Sequence, residues 1–148
     1  MSDLRELYQE LIIDHGRHPR NFGSLAAATY IKEGFNPLCG DKLKLYLQVV
    51  DGVVIAARFE GAGCAISMAS ASLMTERVVG LTLEQIDALF ANFHDLVTGK
   101  SNPDAQVVGK LLALGGVSEF PSRVKCATLA WHTLVNALHE MTGPVSTE

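Results

Sequence analysis

The chain has 148 residues, 48 % of them hydrophobic and 19 % charged, with a formal net charge of −4. That length fits one domain with a real core, and the composition is that of a folded globular chain. The mild acidic excess argues against non-specific nucleic-acid binding, which needs a basic footprint. No apolar run approaches the roughly 20 residues that span a bilayer. The N-terminus, MSDLRELYQE, carries acidic residues in place of a secretory apolar core, so a cytoplasmic location is expected.

The first predicted element is a helix in SDLRELYQELIIDHG, where Leu4, Leu7, Leu11 and Ile12 recur at helical spacing and Gly16 and Pro19 stop it. ATYIKE reads as a short strand. NPLCGD, residues 36 to 41, reads as a sharp turn, because Pro37 fixes its own φ and Gly40 takes angles other residues avoid. Cys39 and Asp41 then point to one side of it. DKLKLYLQVV alternates, with Leu43, Leu45, Leu47 and Val49 on one face, and VVIAARFE alternates through Val53, Ile55, Ala57 and Phe59. A strict two-residue Asp51-Gly52 loop pairs Val50 with Val53 and sets the apolar face of one strand beside the polar face of the other. A three-residue loop, Val50 to Gly52, pairs Val49 with Val53, Leu47 with Ile55, Leu45 with Ala57 and Leu43 with Phe59, so this register is expected. One further pair puts Asp41 beside Gly61, with Cys39 just before that point and Cys64 just after it.

The rest of the chain reads as helical. CAISMASASLMTERVV is rich in small residues, which suggests a tightly packed, largely buried helix ended by Gly80. TLEQIDALFANFHDLV begins with Thr82 and Gln85 at capping-box spacing and carries a stripe of Leu83, Ile86, Phe90, Phe93 and Val97. SNPDAQVVGKLLAL starts with polar residues and a proline and closes at Gly115-Gly116. SRVKCATLAWHTLVNALHEM shows Ala127, Trp131, Leu134, Leu138 and Met141 on one face, with Gly143 and Pro144 ending it. There is no internal repeat, so residues 1–143 are expected to form a single domain and 144–148 a loose C-terminal tail.

Three cysteines remain: Cys39, Cys64 and Cys126. An odd number is a poor disulfide framework, and no CxxC occurs. Taken singly, each reads as a small buried hydrophobe. Their surroundings favour another reading. Cys64 sits in GAGC at the start of one helix, and Cys126 in FPSRVKC in the first turns of another, close in sequence to Arg123 and Lys125. A helix N-terminus and neighbouring cations both favour thiolate, which is the nucleophile and the metal-binding form. Cys39, Asp41, Cys64 and Cys126 together make a tetrahedral set that zinc accepts. An iron–sulfur cluster is the alternative, although stable clusters usually have four cysteines. The histidines are weaker candidates: His132 and His139 read as structural or surface residues, His15 and His18 as complements to a helix end, and His94 as solvated. No Ser-His-Asp order, HExxH or phosphate loop can be read.

NPLCGD, FEGAGCAISMASASLMTE and FPSRVKCATLAWHTL resemble the IscU/NifU-N-terminal-like family, the U-type scaffold proteins of iron–sulfur cluster assembly, over nearly the whole chain and most closely in its SufU branch. The resemblance implies an α+β fold, a three-stranded antiparallel sheet with about five helices packed on it. It carries metal-ligand roles onto Cys39, Asp41, Cys64 and Cys126. The IscU branch has an LPPVK motif and a histidine just before the last cysteine. Here the segment is EFPSRVKC, with Lys125 at the histidine's place, and the interval from Cys64 to Cys126 is longer, as in the SufU branch.

That branch implies a zinc-bound sulfur acceptor, a sulfurtransferase-like accessory of a PLP-dependent SufS-like cysteine desulfurase that works with other SUF cluster-assembly proteins and with neither nucleic acid nor membrane. In the implied mechanism a residue of the desulfurase replaces Cys39 on zinc, and the freed Cys39 takes the persulfide sulfur. Asp41 completes the shell, and Arg123 and Lys125 are candidates for the docking surface. The first rival is a scaffold assembling a transient [2Fe–2S] cluster on the same four residues. The second is a structural zinc domain, against which stands a hairpin and buried helices able to fold without metal.

Overall fold

The structure, a computed structural model, describes residues 2–37, 40–101 and 103–142. The elements run α1 (Ser2–Arg17), β1 (Tyr30–Asn36), β2 (Asp41–Val50), β3 (Val53–Ala62), α2 (Ala65–Val78), α3 (Leu83–Val97), α4 (Ala105–Val108), a 3-10 stretch (Gly109–Glu119) and α5 (Pro121–Thr142). The strands form one antiparallel sheet in the order β1-β2-β3. This is the expected α+β architecture of five helices on a three-stranded sheet. The proposed tail, 144–148, lies outside the described residues.

Leu43, Leu45, Leu47, Ala57 and Phe59 form the buried face of the sheet and meet Trp131 and Leu134 of α5, Phe93 of α3 and Met74 of α2 in one core. Trp131 is stacked between Phe90 and Phe93, with ring centroids 5.9 and 5.0 Å away. In α2 the buried set includes Ala69, Ser70, Ala71 and Ser72, so small residues let other elements approach this helix from several sides. The capping box of α3 is formed: the Gln85 N–H donates to Thr82 Oγ1, and the Thr82 N–H donates to the Gln85 side chain.

The hairpin register differs from the expected one. Val50 pairs with Val53 across a two-residue loop whose Asp51 and Gly52 have φ of 53° and 77°. Both are left-handed, as in the type I′ turn whose twist suits two strands. The clash of faces is relieved by a bulge: the register shifts between Gln48 and Val49, leaving Ile55 opposite no partner. Val54 is therefore buried and Ile55 is 45 % exposed, while Ala57 and Phe59 face the core. Val54 is also held from its other side, donating to Leu81 O and accepting from the Gly80 N–H. Leu47 pairs with Ala57, Leu45 with Phe59 and Leu43 with Gly61, two residues along from the three-residue-loop register.

Two helical boundaries also differ. α1 runs through Gly16 to Arg17. Gly16 packs on the first residue of α2: a methyl group there would meet the Ala65 carbonyl oxygen at 3.3 Å and its Cα at 3.4 Å. Leu7, assigned to the apolar face of α1, is 61 % exposed, and among the described side chains of this helix the fully buried one is His15. After residue 104 the chain makes only four residues of α-helix before tightening into 3-10 geometry, which continues through Gly115 and Gly116 to Glu119.

α5 lies antiparallel along β1. Lys32 pairs with Glu140, Gly34 faces Thr133 and Leu129, and Asn36 faces Cys126. A Cβ at Gly34 would collide with Thr133 Oγ1, so this glycine lets the helix settle onto the strand. The close contact brings the second turn of α5 to the end of the sheet where β2 begins.

Candidate metal centre

Three side chains converge at that end. Asp41 is the first residue of β2, Cys64 is the N-cap of α2 immediately after β3, and Cys126 is in the second turn of α5. One oxygen of Asp41 and the two sulfurs all lie within 4.8 Å of one another. Some point lies within about 2.8 Å of all three atoms so spaced, and zinc–sulfur and zinc–oxygen bonds are about 2.3 and 2.0 Å, so a small inward movement closes the shell. Asp41 and Cys126 have no exposure, and Cys64 is half-buried.

Register and helix start explain the convergence. Carrying the β2–β3 pairing one step past Lys42–Ala62 sets Asp41 opposite Gly63, not opposite Gly61 as the three-residue loop requires. Contacts agree: a Cβ on Gly63 would run into the Asp41 carboxylate. The next residue, Cys64, donates its backbone N–H to Asp41 Oδ1 at 3.0 Å, and its Sγ accepts the Ser67 N–H at 3.4 Å in the manner of an N-cap. The correction thus moves the carboxylate two residues closer to Cys64.

Asn36, which the motif reading passed over, completes the carboxylate's surroundings. It is buried, pairs with Asp41 across β1 and β2, and donates its side-chain amide to Asp41 Oδ2 at 3.4 Å. The same nitrogen is 4.0 Å from Cys126 Sγ. The available signal was its position at the head of NPLCGD. Gly63 was legible in GAGC in the same sense, as a residue kept without a side chain where a carboxylate passes.

None of the ion pairs among the described residues includes Asp41. A carboxylate removed from water is costly without a compensating cation, and two soft sulfurs beside it complete a donor set suited to zinc. Arg123 is exposed and directed at the thiols: the charge on Cys64, then hydrogen bonds to Cys126 and Cys64, hold its pKa above the ordinary value. Lys125 is exposed, and none of the ion pairs among the described residues includes it. Cys39 lies outside the described residues. Its chain neighbour Gly40 has a φ of +70°, and Asp41 is two residues away.

Beside the site runs an open groove of about 840 Å³ lined by Arg5, Tyr8 and Ile12 of α1, Ile66 of α2, Phe120 and Arg123. Phe120, on its rim, is 59 % exposed. The histidines do not join the centre. His15 is buried, with Nδ1 2.7 Å from Ser72 Oγ. His139 pairs with Asp87, and His94 and His132 both lie edge-on to Phe90.

Comparison with known proteins matches residues 7–141 to the NifU-like N terminal domain family. The zinc-dependent sulfurtransferase SufU of Bacillus subtilis is 40 % identical over 142 residues, 96 % of each chain. An iron–sulfur cluster assembly scaffold protein IscU of Thermotoga maritima is 43 % identical, over 93 % of this chain and 96 % of that one. Among solved structures, a putative iron–sulfur cluster assembly scaffold protein for the SUF system from Fervidobacterium islandicum superimposes with a TM-score of 0.83 at 34 % identity, covering 90 % of this chain and 98 % of that one.

Proposed function

The chain belongs to the NifU-like N-terminal domain family, and from that premise we propose that it is a zinc-dependent sulfur acceptor for a PLP-dependent, SufS-like cysteine desulfurase in iron–sulfur cluster assembly. The observation that carries the proposal is the convergence of a fully buried carboxylate with two cysteine sulfurs within 4.8 Å. With Cys39, these residues make the four-ligand shell, and zinc bound there supplies a positive centre that keeps thiols deprotonated near neutral pH.

The chain's own residues divide the work. Cys64 caps α2 and Cys126 is buried in α5, so displacing either sulfur disturbs packing. Asp41 is fixed by a donor on each oxygen. Cys39, which the sequence sets between Pro37 and Gly40 in NPLCGD, is the thiol assigned to attack. Its thiolate attacks the outer sulfur of the donor's cysteine persulfide. A new S–S bond forms on Cys39, the donor's S–S bond breaks, and the donor cysteine leaves as thiolate, with no net oxidation. Arg123, directed at the thiols, favours the approach of an anionic persulfide, and Lys125 extends the same basic rim for docking. Among the described residues no helix is long and apolar enough to cross a membrane, and reduced cytoplasmic thiols suit the chemistry.

A scaffold that assembles a [2Fe–2S] cluster on the same residues is the second reading, favoured by the equally extensive match to the Thermotoga maritima scaffold. Metal and acid-labile sulfide analysis of the freshly purified protein, run with a desulfurase turnover assay, separates the two. About one zinc per chain, no labile sulfide and stimulated turnover is the expected result. Iron with labile sulfide supports the scaffold, and zinc without effect on turnover leaves a structural zinc domain.

A further inference from the structure

Asp41 and Cys126 come from different elements, one beginning β2 and the other inside α5, and a single amide stands between them. The Asn36 side chain ends β1 in a buried position, with its nitrogen 3.4 Å from Asp41 Oδ2 and 4.0 Å from Cys126 Sγ. A side-chain amide nitrogen carries two N–H donors in a fixed plane, so one residue can address a carboxylate and a sulfur together. The remaining carboxylate oxygen, Oδ1, accepts the Cys64 N–H. Asp41 is thereby oriented from both sides, and the donor on one side also faces the sulfur of α5.

We propose that Asn36 is a positioning residue of the metal centre, its amide spanning Asp41 and Cys126 so that carboxylate and thiolate keep the separation a single ion requires. The inference rests on the metal-binding reading above. Its consequence is greatest when Cys39 is engaged in sulfur transfer, because Asp41, Cys64 and Cys126 would then be the ligands this chain keeps on the ion. Both N–H groups of the amide are donors, so they suit the carboxylate oxygen and the sulfur that face them. Asn36→Asp keeps the shape but turns the donor into a charged acceptor facing two others. Asn36→Ala removes the donor without adding charge.

The test is zinc affinity by competition with a chromogenic chelator, for the wild-type protein and both variants, together with the visible spectrum after cobalt(II) substitution and the thermal melt of each metal-free protein. The expected result is a loss of zinc affinity of about 10- to 100-fold in Asn36→Ala and more in Asn36→Asp, the range for outer-shell partners of metal ligands. Shifted cobalt ligand-field bands and a metal-free Asn36→Ala melt close to that of the wild type should accompany it. Zinc affinity within twofold of wild type with an unchanged cobalt spectrum overturns the proposal. So does a metal-free melt that falls in step with affinity, which assigns Asn36 to the fold alone. A wild-type protein that binds no zinc contradicts the metal-centre reading itself, before any variant is compared.

Discussion

Replacing Gly63 by alanine tests the geometry of the centre without touching a ligand. Gly63 does not have a positive φ, so its backbone accepts alanine. The new methyl carbon would stand 3.1 Å from Asp41 Cγ and 3.2 Å from its Cβ, with Oδ1 nearer still. Carbon atoms settle at about 3.5–4.0 Å, so the carboxyl group must retreat by roughly half an ångström or more. Retreat draws Oδ1 away from the Cys64 N–H, now 3.0 Å away, and out of the triangle it forms with the two sulfurs. A hydrogen bond to a charged group contributes about 1.5–3 kcal/mol. That loss, falling on the metal-bound arrangement, corresponds to about 10- to 150-fold weaker zinc binding. The metal-free fold, free to rotate the carboxylate outward, should lose no more than the ~1–3 kcal/mol typical of overpacking. Chelator competition gives the first quantity and urea denaturation of the metal-free protein the second. A Gly63→Ala protein that binds zinc as tightly as the wild type would show that the Asp41 carboxylate is not held at the ion, and the assigned shell would fall with it.

Removing a ligand outright should do more. Cys126→Ser replaces a fully buried soft ligand by a hydroxyl, and zinc loss on dialysis against a chelator should exceed the about 10- to 100-fold expected for outer-shell changes; full zinc retention counts against Cys126. Stability should also fall with acid below neutrality. Burial first, then the Arg20 guanidinium, push the pKa of His15 below its ordinary 6.5, with Lys110 adding to the effect and Glu76 and Asp14 opposing it. The unfolded chain therefore takes up the proton first. The His15 contribution is complete above pH about 6.5 and is lost as pH falls through the lower folded-state value. His132, lowered by burial and then by His94, acts in the same direction. Urea midpoints measured from pH 7.5 to 5 should fall, and His15→Gln should flatten the slope; parallel slopes in the two proteins would exclude His15 as a source.

The candidate centre was legible wherever chemistry is carried by residue type. Asp41, Cys64 and Cys126 meet, because a carboxylate at the start of one strand and a cysteine just past its neighbour are neighbours in any register close to the true one. What pattern could not supply was the device that reconciles a two-residue turn with two apolar faces. Alternation of Val53, Ile55, Ala57 and Phe59 is indifferent between lengthening the loop and inserting a bulge. The bulge wins because Asp51-Gly52 suits a type I′ turn and because Val54 is drawn inward where Gly80 and Leu81 bind its backbone, a contact between distant segments. Leu7 misled for the related reason that periodicity marks a stripe without saying which part of it a neighbour covers: α2 meets α1 at His15 and Gly16 and leaves Leu7 in solvent. Asn36 escaped notice because a lone asparagine before proline also suits a turn, and only the β1–β2 pairing sets it against Asp41.

The measurement closest to the central claim is the destination of the sulfur. The protein is incubated with a SufS-like desulfurase and cysteine, digested, and each cysteine-containing peptide is examined by mass spectrometry for one added sulfur atom. The added sulfur is expected on the Cys39 peptide, and Cys39→Ser is expected to take up none while keeping its fold. Sulfur found mainly on Cys64 or Cys126, or undiminished uptake by Cys39→Ser, would contradict it.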